Sequence, residues 1–179
     1  PGTRAFCPMV RRTPRIEQWL EKKLHEQARE IVGRTQADVI RRAAAFLLLS
    51  DSKASFQIEG EQPSTQRMER CGKVIGQAGA HSLSIPELER LQRSVIGDAR
   101  FVRLGLRKEG GFVGTHDRTT HEPIPDHVSA RPEDVRSLIE GIMAYDERAV
   151  NGRMDPVIAA ASSAFGFVYV HPFEDGNGR

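Results

Sequence analysis

Residues 155–179 read DPVIAAASSAFGFVYVHPFEDGNGR, and the fold class turns on how the apolar part of this stretch is assigned. Taken alone, residues 165–170, FGFVYV, fit a buried strand or a buried helical segment, because a short apolar run does not fix its own period. The residues before it do. Asp155 can accept hydrogen bonds from the first free amides of a helix, and Pro156 follows where a missing N–H costs nothing. The run over 157–170 is also long for a strand, so it is assigned to one helix. Since it is apolar nearly all round and rich in alanine and serine, it is expected at the centre of a bundle with close neighbours.

The rest of the chain agrees with a mainly α fold. Ile16, Trp19, Leu20, Leu24, Ala28, Ile31 and Val32 recur at three- and four-residue steps, giving one amphipathic helix with Gly33 as its stop. Ile40, Ala43, Ala44, Leu47 and Leu48 give a second helix over about 36–50, with its C-terminal end buried. Ser84 and Glu87 form a capping box ahead of a helix carrying Leu88, Leu91 and Val95, and Gly97 ends it. Pro132-Glu133-Asp134 opens another helix with acids at the positive end of its dipole; Val135, Leu138, Ile139, Ile142 and Met143 line one face. Between 107 and 130 the composition turns to Gly-Gly-Phe-Val-Gly and a proline- and threonine-rich run, which reads as an exposed β-hairpin or long loop.

A chain of 179 residues with 39% hydrophobic and 28% charged residues can bury one core, so one domain with a helical N-terminal extension over 1–50 is expected. No apolar run approaches the roughly 18–20 residues of a membrane span, and no signal peptide is read at the N-terminus. A cytoplasmic location is expected. The net charge of +2 gives no case for nucleic acid, and Cys7 and Cys71 sit in no metal-binding spacing. His116, His121 and His127 likewise read as surface polar residues rather than a metal site.

The segment after the central helix, His171-Pro-Phe-Glu-Asp-Gly-Asn-Gly-Arg179, concentrates chemistry in nine positions. Gly176, Asn177 and Gly178 can turn successive N–H groups onto one anion, and they could open a helix whose dipole adds positive potential. Arg179 is a planar fork for phosphate oxygens, Asp175 is a hard oxygen ligand of the kind Mg²⁺ shares with nucleotides, and His171 can take a proton from a hydroxyl. Alone, an Asp-Gly-Asn-Gly turn or a His-Pro pair is most often a loop. Together these groups specify transfer from a nucleoside polyphosphate to an alcohol, by positioning and charge neutralisation.

This segment resembles the signature of the Fic (filamentation induced by cAMP) family, His-x-Phe-x-Asp/Glu-Gly-Asn-Gly-Arg-x-x-Arg. It matches at every position the chain contains. The resemblance extends over about 50–179 and implies a Fic-fold helical bundle with a short β-hairpin flap. It implies His171 as the base, Asp175 as the Mg²⁺ ligand, Gly176, Asn177 and Gly178 as the anion hole, Arg179 on the phosphates and Phe173 as the loop's anchor. The implied activity is transfer of AMP from ATP to a Ser, Thr or Tyr hydroxyl of a target protein; Gly178 stands where a kinase-like branch has lysine. Residues 107–115 resemble the flap, so Val113, Gly114, Thr115 and His116 are implied contacts to nucleotide or target. An exposed strand edge can hold a segment of the target by main-chain hydrogen bonds.

Ser55-Phe-Gln-Ile-Glu59-Gly60 resembles the inhibitory Ser/Thr-x-x-x-Glu-Gly/Asn motif of Fic proteins, on a helix near 52–60 within a Fic domain over 51–179. Ser55 and Glu59 lie one helical turn apart, and Gly60 can end the helix. The resemblance implies that Glu59 pairs with the signature's second arginine and takes the place of the ATP γ-phosphate. That arginine would fall three residues past Arg179, so a fragment is expected. Transfer of another nucleotide or of phosphate, removal of AMP from the target, and a non-catalytic nucleotide- or partner-binding regulator stay open, as do self-modification and self-association.

Overall fold

In the computed structural model, which describes residues 5–58, 60–96, 100 and 102–178, Asp155 caps the central helix as its position demands. Its carboxylate accepts from the amides of Val157 (3.0 Å) and Ile158 (3.2 Å), and the helix runs unbroken to Val170. The elements in chain order are α1 (Pro14–Glu21), α2 (Leu24–Arg34), α3 (Ala37–Ile58), α4 (Thr65–Ile75), α5 (Ile85–Val95), β1 (Phe112–His116), β2 (Pro123–Val128), α6 (Pro132–Asn151) and α7 (Pro156–Val170). The fold is mainly α with one antiparallel hairpin.

Two apolar clusters hold it. Leu88, Val135, Ile139, Ile142, Val170 and Phe173 join α5, α6, α7 and the segment after α7. Phe56, Cys71, Val95 and Ile96 join α3, α4 and the end of α5. Helix α5 therefore belongs to both, through Leu88 in one and Val95 in the other. Where α6 meets α7, Gly141 and Gly166 leave a notch filled from the N-terminal segment. A Cβ at Gly141 would lie 2.7 Å from the Ala5 Cβ, one at Gly166 would run into the Phe6 ring, and that ring stands edge-on to Tyr145 with centroids 5.2 Å apart.

Several expectations are corrected. The single N-terminal helix breaks at Lys22–Lys23, where Lys23 turns left-handed (φ 47°), and the following helix runs through Gly33 to Arg34. Apolar spacing is blind to such a break, because both halves keep their stripes. The second helix extends to Ile58, across residue 50. Its C-terminal apolar positions are not all buried: Phe46 and Leu47 are exposed, and burial falls on Ser52 and Phe56. In α7 only Ser162, Gly166 and Val170 are buried, while Val157, Phe165 and Tyr169 face outward. Alanines and serines let one face approach α6 closely without demanding neighbours on the other. The Ser84 hydroxyl accepts from the Glu87 amide (3.3 Å), but the Glu87 carboxylate pairs with Arg90 (2.7 Å), so the box is half closed. Gly97 lies outside the described residues.

The hairpin pairs Phe112 with Val128 and Val113 with His127, then Gly114 with Pro125, Thr115 with Ile124 and His116 with Pro123; a bulge between Val113 and Gly114 leaves Asp126 as the extra residue. Gly114 is required there. At φ +155° a Cβ would collide with the Ile124 carbonyl and come within 2.9 Å of the Asp126 amide.

Candidate functional site

The site begins where α7 ends. The last carbonyls of a helix have no partner within it, and in this chain they are met by the cap residue and from the flap side. The His171 amide closes on Phe167 O (3.0 Å), and the Ala130 amide reaches Val170 O (3.3 Å). His127 Nε2 lies 2.8 Å from Tyr169 O and must be the protonated nitrogen, since a carbonyl can only accept. Arg107 supplies the rest. Only 6% exposed, it donates Nε to His171 O (2.6 Å), Nη1 to Glu109 O (2.8 Å), and Nη2 to both Ala130 O and Val170 O (3.3 Å to the latter). Burial pulls its pKa down, yet a guanidinium stays charged in proteins, and the negative end of α7 is a favourable place for it.

His171 itself adopts the left-handed conformation (φ 54°, ψ 62°) as the C-cap of α7, an uncommon state for a residue with a Cβ. The chain then turns through Pro172 and Phe173, both buried, the Phe173 ring standing edge-on to Phe167 at 5.7 Å. Asn177, 6% exposed, clasps this turn: its Oδ1 accepts from the Phe173 amide and its Nδ2 donates to the Phe173 carbonyl, each at 2.9 Å. Asp175 Oδ1 accepts from the Gly176 amide (2.6 Å). Gly176, at φ +92°, sits against Val95, Ile96 and Gln92, and a Cβ there would come within 3.3 Å of Val95 Cγ2. Gln92, 1% exposed, spans the gap, donating Nε2 to Asp175 O (3.1 Å) and accepting from the Gly105 amide (2.8 Å). Residues 176–178 form a turn, with no helix among the described residues there; Gly178 is exposed, and Arg179 lies outside the described residues.

The structure therefore brings His171, Phe173, Asp175, Gly176, Asn177 and Gly178 into one braced loop. Its backbone meets the flap through the Arg107 amide on Pro172 O (2.8 Å), and Arg103 pairs with Glu174 (3.2 Å) and Glu109 (2.8 Å). Val113, Gly114, Thr115 and His116 lie exposed on β1. Of the histidines read as surface residues, His116 packs edge-on to Phe112, His121 occupies a left-handed turn position, and His127 is half-buried against Tyr169. Among the described residues no three or more His, Cys, Asp or Glu side chains gather as a metal cage.

Ser55 lies on α3, partly buried, beside the fully buried Phe56. Gly60 (φ +73°) turns the chain off α3, with its amide on Gln57 O (3.0 Å) and the Glu61 amide on Phe56 O (2.9 Å), the paired bonds of a Schellman ending. Glu59 lies outside the described residues. Arg67 ties this ending to α5, stacking 4.5 Å over the Phe56 ring, pairing with Glu61 (2.5 Å) and donating twice to Val95 O (2.7 and 2.9 Å). Val95 and Ile96, which share a cluster with Phe56, are the residues that back Gly176.

A model of the Fic/DOC family matches residues 82–179, from just before the α5 cap through the flap to the loop after α7. The chain belongs to the Fic/DOC family. It is similar to the protein adenylyltransferase Fic of Nematostella vectensis, 29% identical over 100 residues that cover 56% of this chain and 21% of that protein. It is also similar to the protein adenylyltransferase fic-1 of Caenorhabditis briggsae, 31% identical over 99 residues covering 55% and 18%. The chain spans about a fifth of the length of these curated relatives. Ser55 and Gly60 lie before the span matched by the Fic/DOC model.

Sequence reading missed the two side chains that brace the Fic loop, Gln92 and Arg107. Gln92 falls on the stripe of Leu88 and Val95, and Arg107 follows Leu106, but a polar or charged side chain is not by itself read as buried. The cue available for Arg107 was indirect: the carbonyls at the C-terminal end of an apolar helix need donors from somewhere.

Proposed function

We propose that this chain is the catalytic part of a protein adenylyltransferase, moving AMP from ATP to a hydroxyl of a target protein, held in check by Glu59. The observation that carries the reading is the braced loop, which offers a histidine at the end of α7 and a glycine turn with an aspartate within one short, doubly clasped segment. Membership of the Fic/DOC family and relatives named protein adenylyltransferases support it.

His171 accepts the proton of the target hydroxyl as its oxygen attacks the α-phosphorus of ATP; the α–β bridging bond breaks and pyrophosphate leaves. Main-chain amides of Asn177 and Gly178 and the Arg179 fork bind the phosphates, while the Gly176 amide holds Asp175 and the Asn177 side chain serves the loop rather than the anion. The Asp175 carboxylate is a hard oxygen ligand of the kind Mg²⁺ takes when it is shared with a nucleotide, so Asp175 is the residue that would hold the ion. When bound, that ion neutralises phosphate charge. The flap orients the target. Pro123 and Pro125 strip two amide donors from β2, which leaves β1, with Val113, Gly114, Thr115 and His116, as the edge suited to pair with an extended segment.

The inhibitory reading is supported by the Gly60 ending of α3 and by Arg67, which fixes that ending to the helix behind Gly176. Glu59 then presents a negative charge to the triphosphate. In the full-length protein, Glu59→Gly is expected to raise protein labelling from α-labelled ATP at least about tenfold, as loss of a typical coupling of a few kcal/mol requires. His171→Ala is expected to abolish it, and the mass added to the target separates AMP from another nucleotide or phosphate. Equal labelling by parent and both variants would refute the assignment.

A further inference from the structure

We infer that Arg107 is a positioning residue that sets the separation between the flap and His171, so that a hydroxyl docked on β1 arrives in line with the imidazole. The inference rests on the adenylyl-transfer reading above. Its basis is which carbonyls the buried guanidinium holds. Glu109 lies on the chain leading into β1 and Ala130 on the chain leaving β2, so Arg107 grips the hairpin at both feet. The same planar group holds Val170 and His171, the last carbonyl of α7 and that of the proposed base. One rigid fork thus joins the element that would orient the target to the residue that would take its proton.

The backbone around it forms a seam between the same two parts, from the Arg107 amide on Pro172 O to the Ala130 amide on Val170 O. His171 is left-handed without being glycine, a conformation that persists only where the surroundings over-determine it. The 2.6 Å bond from Arg107 Nε acts directly on its carbonyl. Lysine is no substitute: a single ammonium cannot reach acceptors spread around a plane.

The test uses the full-length protein in a Glu59→Gly background, which removes both the restraint and any Glu59-assisted release of AMP from target. Lysate protein serves as acceptor, with α-labelled ATP and Mg²⁺. Two products are counted, label in protein and free AMP from transfer to water. Water needs no flap. Arg107→Lys and Arg107→Met are expected to lower the ratio of protein label to free AMP about tenfold or more, since displacement of about 1 Å can cost 100-fold. Nucleotide Kd should stay within about threefold. A variant that merely folds less well loses both products in proportion, so an unchanged ratio beside an active parent overturns this inference alone. A parent that neither labels protein nor releases AMP overturns the adenylyl-transfer reading and this inference with it.

Discussion

Asn177 shows how a residue type can be legible while its use is not. Chemistry groups the whole Gly-Asn-Gly turn as an anion cradle, yet the Asn177 amide is fully engaged with the backbone of Phe173. The position requires a donor and an acceptor on one flat group, each facing one main-chain partner. Asn177→Ala would leave the buried Phe173 amide and carbonyl without those bonds, so unfolding in urea should register a loss of about 2–4 kcal/mol. His171 and Asp175 stand out in the sequence because their chemistry is rare at that spacing. Arg107 and Gln92 do not, because their value lies in carbonyls far away in sequence, at His171 and Asp175.

At the scale of elements, caps proved the most transferable signals. Asp155 and Ser84 cap α7 and α5 with side-chain hydrogen bonds, and Pro132 opens α6 at the position where a missing N–H costs nothing. Helix α4 went unread although Ser64 accepts from the Arg67 amide and Met68 and Cys71 pack inward, because its apolar side chains are few and stand in a mostly polar stretch. The hairpin was foreseen, but the bulge that makes Gly114 indispensable depends on the partner strand and so on three dimensions. Its turn is organised by Asp117, whose carboxylate accepts from the amides of Thr119 (2.7 Å) and Thr120 (2.8 Å); the bond from Thr120, then that from Thr119, hold its pKa below the ordinary carboxylate value. A depressed carboxyl pKa means the turn is fully supported above about pH 4, near the unfolded value, and loses that support as pH falls through the lower folded value. The amide proton shifts of Thr119 and Thr120 are expected to titrate together, with a midpoint below that of an unstructured aspartate.

For the molecule as a whole, the decisive arrangement is that both apolar clusters border the loop after α7. Phe173 lies in one, and Val95 and Ile96 of the other back Gly176. No helix among the described residues is long and apolar enough to cross a membrane. Among the described residues of the N-terminal region, Phe6 seats its ring between Gly166 and Tyr145, beside Ala5 against Gly141. Phe6→Ala should cost about 2 kcal/mol, below the value for a fully enclosed phenylalanine, and lower the melting temperature by about 4–8 °C in a calorimetric scan.

That ring also imposes an order of events during synthesis. Phe6 leaves the ribosome long before α6 and α7, the helices that form its socket. At about 5–20 residues per second it waits on the order of ten seconds with nowhere to dock. The nascent chain thus carries an unsheltered aromatic from the synthesis of Phe6 until α7 has emerged, and the contact cannot close before its socket exists.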